Sequence, residues 1–201
     1  MTFTTTNPIN TLRDRWLEAK KSEDPNARYC TLATQESLNH QPRMRTLVLR
    51  DIDQTSCLLF VQKNSQKNLE PLNNSHWELM LFYPTLMEQY RVRGTLDFLS
   101  PEQLHKHWQN KPYYSKLLDI YYQRYQHQST GLNDRSDFEE KIKMLSKEFP
   151  EGFTLEPPEG AIGIKLYPDY IEMWQASEDA MHHRDLYTLQ GEQWQHQALV
   201  P

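Results

Sequence analysis

Five short runs of branched and aromatic residues follow one another in the first half of this 201-residue chain, and they constrain its fold most strongly. Turns rich in Asn, Asp, Gln and Pro separate the runs, which is the pattern of short antiparallel strands. The runs cover residues 28–34, 42–50, 57–63, 76–83 and 87–99. Further strands are predicted at 161–167, 170–175, 184–190 and 193–199, with turns at 168–169 and around Gly191. The chain is therefore expected to form a β-barrel-like core.

Helical periodicity appears at the start of the chain and again between the predicted strands. Leu12, Trp16 and Leu17 lie on one face of a predicted amphipathic first helix. A short second helix is predicted over residues 65–72, with Ser65 as its N-cap.

A longer helical segment is predicted over about residues 101–149. Ser100 is placed as its N-cap, Pro101 as its first helical residue and Gln103 as the partner that completes a capping box. The helical pattern is interrupted near 111–112 and again around 129–131.

The length predicts a single domain over residues 1–201, and the composition predicts that its own hydrophobic residues are too few to complete the core. Only 37% of the residues are hydrophobic, so a partner subunit or a cofactor is expected to supply part of the burial. The net charge of −5 has both signs interspersed, which disfavours a nucleic-acid surface. The sequence shows neither a signal peptide nor an apolar run of membrane-spanning length, so we expect a soluble, cytoplasmic protein without membrane contact. Cys30 and Cys57 are expected to be buried thiols.

One part of the chain could bind a phosphate group. The chain has six glycines, and none forms a dinucleotide-binding or P-loop pattern, so side chains and a helix N-terminus would have to hold the anion. Arg45 and Arg50 supply guanidinium groups, while Ser65, Gln66 and Lys67 lie where the short helix begins. The odd spacing of the arginines places them on opposite strand faces unless a strand end or a β-bulge intervenes. The alternative is two solvated arginines and an ordinary helix cap.

Three blocks of residues, in order over most of the chain, resemble the pyridoxamine 5′-phosphate oxidase family. The first runs from Arg45 to Lys67 and the second from Glu88 to Gly94. The third contains Trp174 and Gln175, then His182 to Arg184, Trp194 and a terminal Leu-Val-Pro. The resemblance implies an α+β, mainly β fold, in which flanking helices accompany an antiparallel FMN-binding split β-barrel. It also implies FMN as the cofactor and a homodimer with FMN at the interface.

Matching the family's site positions to this sequence gives a set of expected site residues. One subunit is expected to bind FMN with Arg45, Arg50, Val61, Gln62, Ser65, Gln66 and Lys67, and the other with Gln89, Trp174 and Arg184. Arg50 stands where the family usually has lysine, which keeps the charge. Gln66 stands where the family has arginine, which loses one cation.

The expected substrate residues depart further from the family. His107, Lys111, Ser115 and His182 match its substrate positions, and His182 is also the expected catalytic residue. Ala180 replaces the arginine that overlies the substrate ring. The His105–His107 and His182–His183 spacings do not suit a metal pair, and no metal site is predicted.

The resemblance and the substitutions together favour one function over three others. The favoured function is an oxidoreductase with an altered substrate site that transfers a hydride from a small amine or alcohol to flavin. The alternatives are a non-catalytic module that binds flavin or haem, a genuine pyridoxamine/pyridoxine 5′-phosphate oxidase, and a purely structural dimer.

Overall fold

A computed structural model describes residues 2–4, 7–35, 40–63 and 77–201. The chain divides into two compact units. The barrel unit comprises Met1–Leu59, Glu70–Asp97 and Lys165–Pro201, and the helical unit comprises Phe60–Leu69 and Phe98–Ile164. The prediction of a single domain over 1–201 stays a prediction. The short helix predicted over 65–72 lies outside the described residues.

The described part of the chain contains nine strands and four helices. The strands are β1 (Thr2–Thr4), β2 (Tyr29–Gln35), β3 (Pro42–Ile52), β4 (Cys57–Gln62), β5 (Trp77–Tyr83), β6 (Glu88–Phe98), β7 (Ala161–Gln175), β8 (His183–Gln190) and β9 (Gln193–Ala198). The helices are α1 (Pro8–Lys21), α2 (Pro101–Gln109), α3 (Tyr113–Arg124) and α4 (Arg135–Glu148). The five predicted N-terminal strands and the last hairpin are confirmed.

The strands form one antiparallel sheet that closes on itself. Its order is β1-β9-β8-β7-β4-β3-β2-β5-β6, and an additional β7–β6 pairing closes a six-stranded barrel. Alternation along β2 and β5 buries every second side chain, so Leu32, Leu79 and Leu81 enter the core. The predicted mainly β barrel with helices is confirmed.

Helix α1 begins at a side-chain cap and buries a narrower face than the sequence predicts. The Asn7 side chain accepts a hydrogen bond from the Ile9 N–H, 3.0 Å away. Leu12 and Trp16 are buried as expected, but Leu17 is 47% exposed and its predicted core position is wrong. The buried positions 9, 12, 16 and 19 follow the helical repeat, and position 17 falls off that stripe.

The predicted turn at residues 168–169 is also wrong, because β7 runs unbroken from Ala161 to Gln175. Pro168 is buried within the strand. A Cβ atom added to Gly94 on β6 would lie 2.0 Å from the Tyr167 carbonyl oxygen and 2.8 Å from the Asp169 nitrogen. Gly94 therefore allows the β6 backbone to approach the proline-containing stretch of β7, where a side chain would push it away.

Within the helical unit the predicted capping box is present. Ser100 Oγ accepts from the Gln103 N–H at 3.3 Å, and Gln103 Oε1 accepts from the Ser100 N–H at 3.1 Å. The helices break at both predicted places. Apolar residues of all three helices pack into one core, among them Trp108, Leu117 and Leu145.

Cys30 and Cys57 are both free and buried, as predicted. Burial raises the pKa of the Cys30 thiol to about 12 and that of the Cys57 thiol still further, so neither is a thiolate at neutral pH. None of the helices in the described ranges is long and apolar enough to cross a membrane.

Candidate active site

Arg45 is half-buried, and its guanidinium group has one buried donor that is unused within the described residues. It lies opposite Leu32 in the β2–β3 pair, and its Nη2 donates to Thr34 Oγ1. Its Nη1 is buried and finds no hydrogen-bond partner among the described residues. Burial, with a smaller contribution from Arg43, lowers the pKa of Arg45. An unsatisfied buried donor on a cation is costly, and an anion at this position would relieve that cost.

The second arginine of the predicted phosphate site lies at an irregularity in the sheet. Strand β3 continues to Ile52, so Arg50 does not end the strand as the sequence suggests. The β3–β4 register shifts between Leu49 and Asp51, which places Arg50 at the shift. Arg45 and Arg50 could reach one ligand only at a strand end or at a β-bulge. The register shift at Arg50 is the second of these.

Ser65, Gln66 and Lys67 lie outside the described residues, so their predicted contacts to the phosphate stay predictions.

A buried carboxylate, Glu172 on β7, holds the arginine that the sequence predicts to bind FMN. Arg184 donates to Glu172 Oε1 from Nη2 at 2.7 Å and from Nε at 3.2 Å. Arg91 and the Tyr170 hydroxyl donate to Oε2 at 3.1 and 3.0 Å. Burial alone raises the pKa of Glu172, but the bonds from Arg184 and Tyr170 and the charge of Arg91 outweigh burial and leave it lowered. Glu172 therefore fixes the Arg184 guanidinium from within the same chain.

Gln89 on β6 and Trp174 on β7 are both half-buried. Gln89 lies on β6 two residues before Arg91, and its own neighbours Glu88 and Tyr90 are buried. Trp174 pairs with Arg184 across β7 and β8. Both positions are compatible with a ligand outside the barrel core, and their predicted contacts to FMN stay predictions.

His182 is held against Trp174 by a turn. The two ring centroids are 5.0 Å apart, and the Ser177 N–H donates to His182 Nδ1 at 3.1 Å. This hydrogen bond requires an unprotonated Nδ1 and leaves Nε2 as the position that carries the proton. The turn also contains Ala180, whose φ of 62° lies in the left-handed region.

Another buried carboxylate, Asp119 on α3, joins Gln62, a predicted FMN contact, to Lys111, a predicted substrate residue. Gln62 Nε2 donates to its Oδ1 at 2.7 Å, and Trp108 Nε1 donates to its Oδ2 at 2.9 Å. The Lys111 ammonium forms an ion pair with Oδ2, and both side chains of this pair are 7% exposed. The structure thus places Gln62 and Lys111 on one carboxylate.

The remaining predicted residues of this unit are less tightly held. Val61 is buried on β4, and His107 and Ser115 are half-buried on α2 and α3. Their predicted roles at FMN and substrate stay predictions.

The sequence predictions missed the two organising acids. Each has a recognisable signal, because an acidic residue stands in an otherwise apolar stretch. Glu172 follows the buried Ile171, and Asp119 lies between the buried Leu117 and Ile120. A charged residue at such a position is expected to be paired.

Comparison with known proteins supports the resemblance along the whole chain. The family model "Pyridoxamine 5'-phosphate oxidase, FMN-binding domain" matches residues 10–100, and "Pyridoxine 5'-phosphate oxidase C-terminal dimerisation region" matches residues 162–201. The pyridoxine/pyridoxamine 5'-phosphate oxidase of Gluconobacter oxydans is 30% identical over 92% of this chain and 89% of the relative. The same-named protein of Microcystis aeruginosa is 31% identical over 93% and 86%.

The chain belongs to the pyridoxamine 5′-phosphate oxidase family.

Solved structures agree with this assignment at the level of the fold. PhzG from Burkholderia lata has a TM-score of 0.85 at 23% identity, covering 97% of this chain and 93% of PhzG. A pyridoxamine 5'-phosphate oxidase-related FMN-binding protein from Nostoc punctiforme has a TM-score of 0.75 at 21% identity, with coverage of 98% and 100%. Pyridoxamine 5′-phosphate oxidases are FMN-dependent oxidoreductases, and FMN is the cofactor of this chain. The buried, unsatisfied Arg45 donor fits the anionic phosphate of that cofactor.

The buried Lys111–Asp119 ion pair gives a stability prediction. Lys111→Met leaves the Asp119 carboxylate buried without its countercharge, and we expect a loss of about 3–5 kcal/mol in the free energy of unfolding. Adding Asp119→Asn removes the charge and keeps one oxygen, which accepts from either Gln62 or Trp108, so the double variant should recover at least about 1 kcal/mol. Urea denaturation of the FMN-loaded protein measures both values.

Lys141→Met is the control, because Lys141 pairs with Asp137 on the surface of α4. Little change is expected there. A Lys111→Met variant as stable as the control would contradict the prediction.

Proposed function

We propose that this protein is an FMN-dependent oxidoreductase that oxidises a small amine or alcohol other than a phosphorylated vitamin. The observation that carries the proposal is the composition of the 176–183 turn beside Trp174. The turn contains Glu178 and Asp179 and no lysine or arginine, and Ala180 stands where the resemblance expects an arginine. A negatively charged turn suits an amine better than a phosphopyridine.

Hydrogen bonds hold the acidic turn in place. The Ser177 hydroxyl and the Met181 N–H donate to the Asp179 carboxylate, and these bonds lower the pKa of Asp179. The Ala180 N–H also donates to the Ser177 carbonyl at 3.1 Å. Asp179 is therefore ionised at neutral pH, and its charge is available to a cationic substrate.

Some residues of the chain would bind FMN, and His182 would orient the substrate. We propose Arg45 and Arg50 as phosphate-binding residues for FMN, with Gln89, Trp174 and Arg184 on the flavin from the other subunit. FMN bound there would supply a hydride acceptor for the substrate and a carrier of its electrons to dioxygen or another acceptor. His182 would orient the substrate through Nε2, because its Nδ1 already accepts from Ser177.

A second candidate is a genuine pyridoxamine/pyridoxine 5′-phosphate oxidase. The relatives at 30–31% identity carry that name, and Lys111, Ser115 and His182 are retained at the corresponding positions. The first candidate is supported by PhzG, whose structure contains tetrahydrophenazine-1-carboxylic acid, a ligand without phosphate. The fold thus accommodates ligands of both kinds.

Reduction of the bound flavin by a panel of substrates tests the proposal directly. The FMN-loaded protein is mixed without oxygen with small amines, alcohols and pyridoxamine 5′-phosphate, and the loss of the flavin absorbance is followed. We expect at least one non-phosphorylated amine or alcohol to reduce the flavin faster than pyridoxamine 5′-phosphate. Faster reduction by the phosphorylated vitamin would favour the second candidate.

Arg45→Ala is expected to weaken FMN binding. Loss of a charge-assisted hydrogen bond of about 1.5–3 kcal/mol corresponds to about a 10- to 150-fold rise in the dissociation constant. Quenching of flavin fluorescence measures it. Arg43→Ala is the matched control, because Arg43 is exposed on the same strand and should leave the affinity within a few-fold. Equal affinities for the two variants would show that the phosphate lies elsewhere.

The protein is expected to be a homodimer with FMN at the interface. The C-terminal match to the family's dimerisation region and the low hydrophobic fraction of 37% support this. Analytical ultracentrifugation should give a mass of twice 24.0 kDa with one FMN per subunit. A monomer that still binds FMN would rule out the shared site.

Oxidation of pyridoxamine 5′-phosphate is expected to be about 100- to 1,000-fold slower than in a typical family oxidase, because one well-placed electrostatic contact is missing at Ala180. Ala180→Arg should raise the rate, and Ala180→Gln, which adds length without charge, should not. Both substitutions place a side chain at the same left-handed position, so backbone strain is matched. Steady-state formation of pyridoxal phosphate measures the rate, and equal gains in both variants would argue against a charge effect.

A further inference from the structure

The Asp119 carboxylate fixes which end of the Gln62 amide faces outward. A carboxylate paired with an ammonium only accepts hydrogen bonds, so Gln62 must present its NH₂ group to Asp119. The Gln62 Oε1 then points away from Asp119. Gly160 lies on that side, because a Cβ added to it would be 3.0 Å from Gln62 Oε1. The orientation of Gln62 therefore depends on the charge state of its buried partner.

A cavity of about 180 Å³ lies beside Gln62 and Gly160 within the helical unit. Gln62 and Gly160 line it together with Tyr122, His127 and Glu159. Its volume equals that of about six water molecules, which is enough for a small ligand group. Gln62 offers this cavity a hydrogen-bond acceptor, and a matching ligand must carry an N–H or O–H donor.

Asp119 also removes Lys111 as an anion-binding cation. Its Oδ2 accepts from both the Lys111 ammonium and Trp108 Nε1, so the pair carries no net charge. A phosphate dianion that approached the Lys111 ammonium would come within a few ångströms of the Asp119 carboxylate. Like charges at such a distance repel strongly where water is excluded.

We propose that Asp119 is the residue that determines substrate class, because it cancels the charge of Lys111 and turns the Gln62 carbonyl toward the cavity. The helical unit then binds a small hydrogen-bond donor that carries no negative charge, such as an amine, amide or hydroxyl group, and rejects phosphate esters. This inference rests on the proposed function and takes Lys111 as a residue of its substrate site, as the family positions predict.

Phosphate binding to the FMN-loaded protein tests the inference apart from catalysis. FMN is kept in excess so that its own phosphate site is filled, and inorganic phosphate is titrated by calorimetry. We expect the unmodified protein to bind phosphate more weakly than about 1 mM. Asp119→Asn should bind it at least about 10-fold more tightly, because the Lys111 ammonium then loses the Asp119 carboxylate that pairs with it.

The Asp119→Asn/Lys111→Met double variant is the control, and it should return to the weak binding of the unmodified protein. An Asp119→Asn variant that keeps FMN but gains no phosphate affinity would overturn the inference. If Asp119→Asn does not fold, the unmodified protein decides, because saturable phosphate binding tighter than about 0.1 mM would also overturn it.

Phosphate titration does not use the proposed reaction, so the failure of one proposal can be told apart from the failure of the other. A protein that excludes phosphate but oxidises no amine or alcohol would refute the proposed function and leave the role of Asp119 intact. A protein that oxidises amines yet binds phosphate tightly would refute the role of Asp119 alone.

Discussion

The close approach of β6 to β7 at Gly94 is the constraint on which the barrel unit depends. Closure pairs β6 with β7, and it requires the two backbones to meet closely beside Pro168, which lies within β7. The same pairing brings Arg91 of β6 to Glu172 of β7, and Glu172 in turn holds Arg184. A glycine that contacts no ligand thus supports the position of an arginine proposed to contact the flavin.

Two buried carboxylates at the candidate site, one in each unit, gather donors from several elements. Glu172 collects Arg91, Arg184 and Tyr170, and Asp119 collects Gln62, Trp108 and Lys111. Burying a charge is expensive, and hydrophobic residues of similar volume often stabilise a protein more. A buried acid that satisfies three donors fixes their geometry, because each donor would be left unsatisfied by a movement. Both acids therefore fit a role in positioning.

Local signals in the sequence predicted much of the fold. Alternating runs predicted the barrel strands, and Ser100 with Gln103 predicted the start of α2, because both patterns depend on contacts between near neighbours. Two predictions that depended on contacts between residues far apart in the sequence were wrong. Leu17 lies one position outside the buried stripe of α1. Pro168 remains part of a strand because Gly94 has no side chain that would collide with the backbone around it.

The sequence by itself determined the family, the flavin cofactor, the positions of most strands and the absence of the family arginine at Ala180, since each depends on residue identities and local patterns. The tertiary structure decided how charge is distributed at the candidate site. Within the described residues, it shows that the Arg45 Nη1 donor is buried without a hydrogen-bond partner, that Arg184 is paired within its own chain, and that Lys111 forms an ion pair with Asp119. The reason is physical: the charge that a side chain offers a ligand depends on its burial and its partners, and long-range folding chooses those partners.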